Sequence, residues 1–356
     1  MTGMMTRTRI SYTVVAIALI LIAVFALTHK SSTASAATAT APVHIRWLLS
    51  HQPVSVFTRA TQVFAAELAK DTNGQMTLTV VTPEDLGYTK GDVPNAEIFK
   101  ELDSGDVQIA SAYTVALGQQ DPQMWALTLP YLFGSYESMT PVLDGPTGQQ
   151  LLNSLGNGTS TIRGLAFTMS GGYRIIASKD KAITSVSDVK GMHIATSGGP
   201  VAEATLRALG AIPVAVDLES AGQSFDPNTI DGVETTYSRL AEVLGNETAY
   251  TKYINETDHS MFLTAIISSK SFYDSLSPQD QAALQKAALD AAQVERQDSI
   301  ALATQVKSQL ESQGSTVSAL TPAAQSAFKS ATQSVYTQFS PVVGADIVQS
   351  LINGQK

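Results

Sequence analysis

Past residue 42 the apolar positions alternate between two spacings, and that alternation predicts an α/β chain. Residues 45–49 read as a strand. From Val56 on, Phe57, Ala60, Phe64 and Leu68 recur at helical spacing, and Asn73-Gly74 stops that helix. Met76, Leu78 and Val80 alternate with Thr77 and Thr79, the pattern of a strand with one wet face. A short helix over 96–102 and a strand over 107–112 follow. Residues 161–178 give two strands interrupted by Ser170-Gly171-Gly172. Then come a strand at 192–196, a helix at 200–209 closed by Gly210, a strand at 212–216 and a last strong strand at 261–267. Ser277-Pro278 with Asp280 has the cap, first-turn proline and acid that open a helix. Alanine and leucine carry it to Leu310, and Gly314 ends it. Thr321-Pro322 starts a final helix to about Phe339. Such β-α-β alternation predicts helices on both faces of mainly parallel sheets. No repeat and no Gly/Ser linker divides the chain, so two lobes joined by crossing segments fit better than two separate beads.

The first 41 residues differ in kind. Arg7 and Arg9 precede an apolar run over 10–27, and Ala34-Ser35-Ala36 follows within a small-residue stretch. A basic start, an apolar middle and small residues before a cut describe an export signal over 1–36, with 37–43 a disordered linker. The run is also about long enough to span a bilayer as an uncleaved anchor. Either way the remainder is expected outside the cytoplasm, in the periplasm.

Composition then removes whole classes of function. Acidic residues outnumber Lys and Arg by 31 to 22, for a net charge of −9, and no basic footprint for nucleic acid exists. There is no cysteine, hence no disulfide framework, thiolate metal site or Cys nucleophile. The five histidines, His29, His44, His51, His193 and His259, never pair at metal-ligand spacing. No G-x-S-x-G, H-E-x-x-H, Walker or G-x-G-x-x-G motif occurs. No enzyme, cofactor or metal is expected.

Five ordered stretches carry a resemblance. They are Phe64 to Gly74 followed by Leu86-Gly87; Leu102 to Ile109; Leu129-Pro130-Tyr131-Leu132-Phe133; Gly172-Tyr173-Arg174 followed by Asp188 to Gly191; and Leu209 to Val214 followed by Asp231-Gly232-Val233-Glu234. Their order and spacing, over about residues 44–340, resemble the extracytoplasmic solute-binding proteins of tripartite ATP-independent periplasmic (TRAP) transporters, the DctP-like family. The resemblance implies a two-lobe periplasmic binding protein of type II-like fold, with a hinged cleft and a long helix spanning both lobes. Lobe one would take residues 44–171 plus about 261–300, and lobe two 172–260 plus about 301–345. The partners implied are a small-molecule solute and the small and large TRAP membrane subunits, with uptake driven by an ion gradient and no ATPase. A sensor on the same fold, or a periplasmic enzyme built on it, are the alternative functions.

The family commonly clamps a ligand carboxylate with arginine, which is always charged and bidentate. One such position, after Gly172-Tyr173, holds Arg174. The principal one, after the Asp-x-Lys-Gly turn, holds Ala195, which cannot clamp anything. Thr196-Ser197-Gly198-Gly199 offers hydroxyls and backbone instead. Ligand contacts are therefore expected from Arg174, Tyr173, Ser50, His51, Tyr88, Tyr113, Ser197, Leu218, Thr235 and Tyr237, with Trp125 mainly core. The solute is a carboxylate or, given Ala195, a neutral polar or amine compound. Arg207 and Arg239 read as solvated helix positions, either of which could stand in for the missing clamp.

Overall fold

The computed structural model describes residues 42–50, 55–88, 93, 95–157, 160–216, 229–242 and 248–355. The export segment, His51 and Leu218 lie outside them. Strand β1 (Val43–Leu48) leads into helix α1 (Ser55–Asp71), which buries Val56, Phe57, Ala60, Phe64 and Leu68, the face its spacing marks. There follow β2 (Met76–Val81), α2 (Asn95–Ser104), β3 (Ile109–Tyr113), α3 (Thr114–Gln120), α4 (Tyr136–Asp144), α5 (Pro146–Ser154) and β4 (Ile162–Tyr173). The chain then builds β5 (Ile175–Ser178), α6 (Val186–Val189), β6 (His193–Thr196), α7 (Gly199–Ala208), β7 (Ile212–Ala215), β8 (Gly232–Thr235), α8 (Tyr237–Glu242) and β9 (Tyr253–Glu256). Next come β10 (Met261–Ser269), α9 (Lys270–Ser275), α10 (Pro278–Ser312) and β11 (Thr316–Ala319). Three helices close it, α11 (Pro322–Ala331), α12 (Gln333–Val343) and α13 (Ala345–Asn353).

Two sheets result, ordered β2-β1-β3-β10-β4 and β11-β9-β5-β8-β6-β7. They make a two-lobe α/β fold of mainly parallel sheets, each crossed by one strand that runs against the rest. In the first, β10 runs antiparallel to both β3 and β4; in the second, β5 runs antiparallel to both β8 and β9. The reason is mechanical. A strand that steps straight from one sheet into the other, as β4 does into β5 and β9 into β10, has no helical crossover to restore its direction.

The break between β4 and β5 falls at Arg174, not at the glycines. Gly171 and Gly172 stay in the strand with φ of 103° and 81°, which glycine alone adopts cheaply. A Cβ on Gly171 would lie 2.2 Å from Thr236 Oγ1, and one on Gly172 2.4 Å from Tyr136 Oη. The pairing with β10 absorbs the distortion as a register shift between Met261 and Leu263. Sequence alternation also misjudged the edge strand β2, where Val80 is exposed although it shares a parity with buried Met76. The end of the chain carries one more strand, β11, and two more helices than its apolar pattern indicated.

The α10 helix ties the lobes together. Ser277 Oγ accepts from the Asp280 N–H at 3.1 Å to cap it. Its 35 residues run about 50 Å. Ala283, Leu284, Ala287, Ala288, Ala291 and Ala292 pack with Phe57 and Phe64 under the first sheet. Val306 and Leu310 pack with Tyr250 and Ile254 of the second. The run of alanines lets the helix lie close on the first sheet. Among the described residues no helix is long and apolar enough to cross a membrane.

Candidate functional site

In open α/β sheets, ligands sit beyond the carboxyl ends of the strands. Here those ends carry Ser50 after β1, Tyr113 of β3, Thr196 of β6 and Thr235 of β8. Arg174 stands between β4 and β5, and its N–H donates to the Ser260 carbonyl at 2.8 Å, joining the two crossing segments. Arg174 is only 4% exposed. It lies over the Phe262 ring at 4.4 Å and 3.4 Å from Glu234 Oε2. Glu234, on β8, is fully buried. His259 Nε2 lies 2.8 Å from its Oε1, and the Thr196 hydroxyl donates to its Oε2. Burial pushes this carboxyl up, but Arg174, His259 and Thr196 outweigh it and hold it at about 2. Glu234 is thus a fixed anion that orients Arg174.

A second guanidinium enters from α8. Arg239 is 2% exposed, and its Nη1 donates to Tyr113 Oη at 2.8 Å. It lies 5.7 Å from the Phe262 ring centre and 5.9 Å from that of Tyr113. Tyr113 and Phe262 themselves pack at 4.8 Å. Two buried arginines from different elements therefore share one aromatic wall, with Tyr113 of the first sheet bonded to a helix of the second lobe. Arginine heads stacked on rings present their planar edges for bidentate bonding.

Residues 50–341 match the family described as bacterial extracellular solute-binding protein, family 7 (DctP). The chain belongs to this family. It is 30% identical over 214 residues to the C4-dicarboxylate-binding periplasmic protein DctP of Rhodobacter capsulatus, covering 56% of this chain and 62% of that one. It is 24% identical to the C4-dicarboxylate-binding protein DctB of Bacillus subtilis over 82% of this chain and 81% of that one. A crystal structure of a TRAP periplasmic solute-binding protein from Pseudomonas putida F1 with bound D-glucuronate superposes with a TM-score of 0.74 at 25% identity, covering 87% of this chain and 96% of that one.

Within this solute-binding fold the sequence candidates separate into groups. Arg174 and Tyr113 join the cluster around Phe262. Thr235 is buried in β8 opposite Ile175, on the face of the strand away from its neighbour Glu234. Ser197 follows Thr196 at the end of β6, where the Gly198 N–H donates to Thr196 Oγ1 at 3.0 Å. The next residue explains the double glycine: a Cβ on Gly199 would come within 2.6 Å of Val115 on α3, so the lobes approach closely there. Ser50 is buried with its hydroxyl on the Ser111 carbonyl. Tyr88 instead donates to Glu101 of α2 at 2.9 Å. Tyr173 packs on Tyr136 at 5.1 Å, and Tyr237 donates to Glu256 at 3.0 Å. Those two line a cavity separate from the Phe262 cluster. Trp125 donates to the Val115 carbonyl at 3.1 Å and packs on the first core.

Ala195 is buried in the second lobe's core beside Val233 and Tyr237. Arg207 is exposed and pairs with Glu203 at 2.6 Å, as a solvated helix residue does. Arg239 is not solvated. Sequence reasoning missed its burial because α8 is too short to show a helical face. One usable signal existed: Arg239 follows Thr235 by four residues, just beyond a strand's carboxyl end, where such folds place ligand contacts. Phe262, Glu234 and His259 were also absent from the expected ligand set.

Proposed function

We propose that this protein captures a small organic carboxylate between its lobes, with Arg174 and Arg239 as the paired clamp. The observation that carries the reading is the pair of buried guanidiniums on the Phe262 ring, one set by Glu234 and the other by Tyr113. Arg239 supplies from α8 the second cation that Ala195 does not supply from β6. A carboxylate is the anion whose geometry matches such a fork. Ser197, at the carboxyl end of β6, bonds a remaining polar group of the solute, since each buried polar group needs a partner. Relatives named for C4-dicarboxylates, and the D-glucuronate of the Pseudomonas putida protein, belong to the same chemical class. Delivery is to the small and large TRAP membrane subunits, from a periplasmic location. A bound solute raises the melting temperature by mass action. A thermal-shift screen of C4-dicarboxylates, sugar acids and their neutral amides should give shifts with the acids alone. Shifts confined to the amides would reject the carboxylate.

A further inference from the structure

Tyr173 and Arg174 are neighbours on one extended segment, so their side chains point to opposite sides of it. On the Tyr173 side lies a cavity of about 300 Å³ between the crossing segments and α10. Tyr136, Tyr173 and Tyr237 line it, with Glu256, Asp258 and Lys307. Its charges are unequally satisfied. Glu256 accepts from Lys307 at 2.7 Å and from the Tyr237 hydroxyl at 3.0 Å. Asp258 makes no hydrogen bond and no ion pair among the described residues. Lys329 faces Asp258 across an adjoining cavity but forms no salt bridge with it. Asp258 also holds φ of 45°, a left-handed conformation that Asp and Asn tolerate better than most residues.

We propose that this cavity binds a small organic ammonium ion, with Asp258 as its counter-charge and the tyrosines as its walls. The chemistry selects the class. Lys307 is already engaged by Glu256, so the group left to recruit a ligand is a carboxylate. Tyrosine walls favour a cation carrying its own alkyl surface. A bare metal ion needs several oxygen ligands at short range, whereas this space is large and partly walled by Ile300 and Ala303. Tyr173 adjoins Arg174, and Asp258 adjoins His259. An occupant here and a solute in the cleft therefore share both crossing segments.

The test is titration calorimetry of the folded protein with tetramethylammonium and ethylammonium chloride, with potassium chloride as the ionic control. Wild type should bind at least one ammonium saturably, in the millimolar range or tighter. Asp258→Asn, which suits the left-handed backbone, should weaken it at least tenfold. Lys307→Met should tighten it several-fold by leaving Glu256 as a second anion. The proposal is overturned if neither ammonium binds saturably, if potassium competes equally, if Asp258→Asn binds as wild type does, or if Lys307→Met fails to tighten binding.

Discussion

Glu234 and Asp258 lie on opposite sides of the same two crossing segments and titrate in opposite directions. Burial raises both. Glu234 is the more deeply buried, yet Arg174, His259 and Thr196 bring it down to about 2. Asp258 is less buried, but burial and the nearby Glu256 push it up to about 6, against weaker help from His259 and Lys307. Glu295, beneath the first sheet on α10, is a third case: burial drives it well up, and hydroxyl contacts from Thr168 and Thr264 with the charge of Arg296 do not offset it. Depth therefore does not decide the charge of a buried acid here. A cation held against it does. The cleft side is built around a permanent ion cluster, and the other side around an acid that lacks its partner.

The largest effect should come from removing the fixed anion. Glu234→Gln leaves Arg174 buried without its counter-charge and should cost about 3–5 kcal/mol in urea unfolding at pH 7. Because the folded value of Glu234 lies below its ordinary 4.5, its stabilisation is present at neutral pH and lost as pH falls from 4.5 through about 2. Wild type and variant should converge there. Equal unfolding midpoints at pH 7 would show that Arg174 is not neutralised by Glu234.

Arg239→Ala should weaken carboxylate binding about a hundredfold, or about 2.7 kcal/mol, by calorimetry. A loss under threefold would place the solute away from α8. Asp258 should behave in the opposite sense to Glu234. Its folded value exceeds the ordinary 3.8, so stability falls as pH rises from 3.8 to about 6 and stays lower above that. Asp258→Asn should therefore gain about 2–3 kcal/mol at pH 7 and flatten that stretch of the pH profile. Loss of stability in this variant would mean that Asp258 has a partner. The smallest effect should be Thr196→Val, which deletes one hydroxyl on Glu234 and should cost about 1.5 kcal/mol. It should also move the acid-side transition to higher pH.

Much of the fold was legible because its signals are local. The α1 face, the Ser277-Pro278 start and the Gly210 stop are each written within a few residues. The direction of β5 and β10 was not, because it depends on which sheet a strand enters after crossing. At the site, Arg174 was legible from the Gly172-Tyr173 context that precedes it. Arg239 was not, because what buries it is Tyr113, 126 residues earlier. The ion cluster around Glu234 likewise draws on Thr196, Arg174 and His259, none of them adjacent in sequence. Ala195 puts no cation at that position, and only packing shows that Arg239 lies beside Phe262.

The proposed clamp is Arg174 and Arg239 together on one carboxylate. Its most direct test is calorimetry of wild type and Arg239→Ala with the acid that most stabilises the protein and with its primary amide. Wild type should prefer the acid by at least about a hundredfold, and the preference should shrink to a few-fold in Arg239→Ala. Equal binding of acid and amide by wild type, or an undiminished preference in the variant, would contradict it.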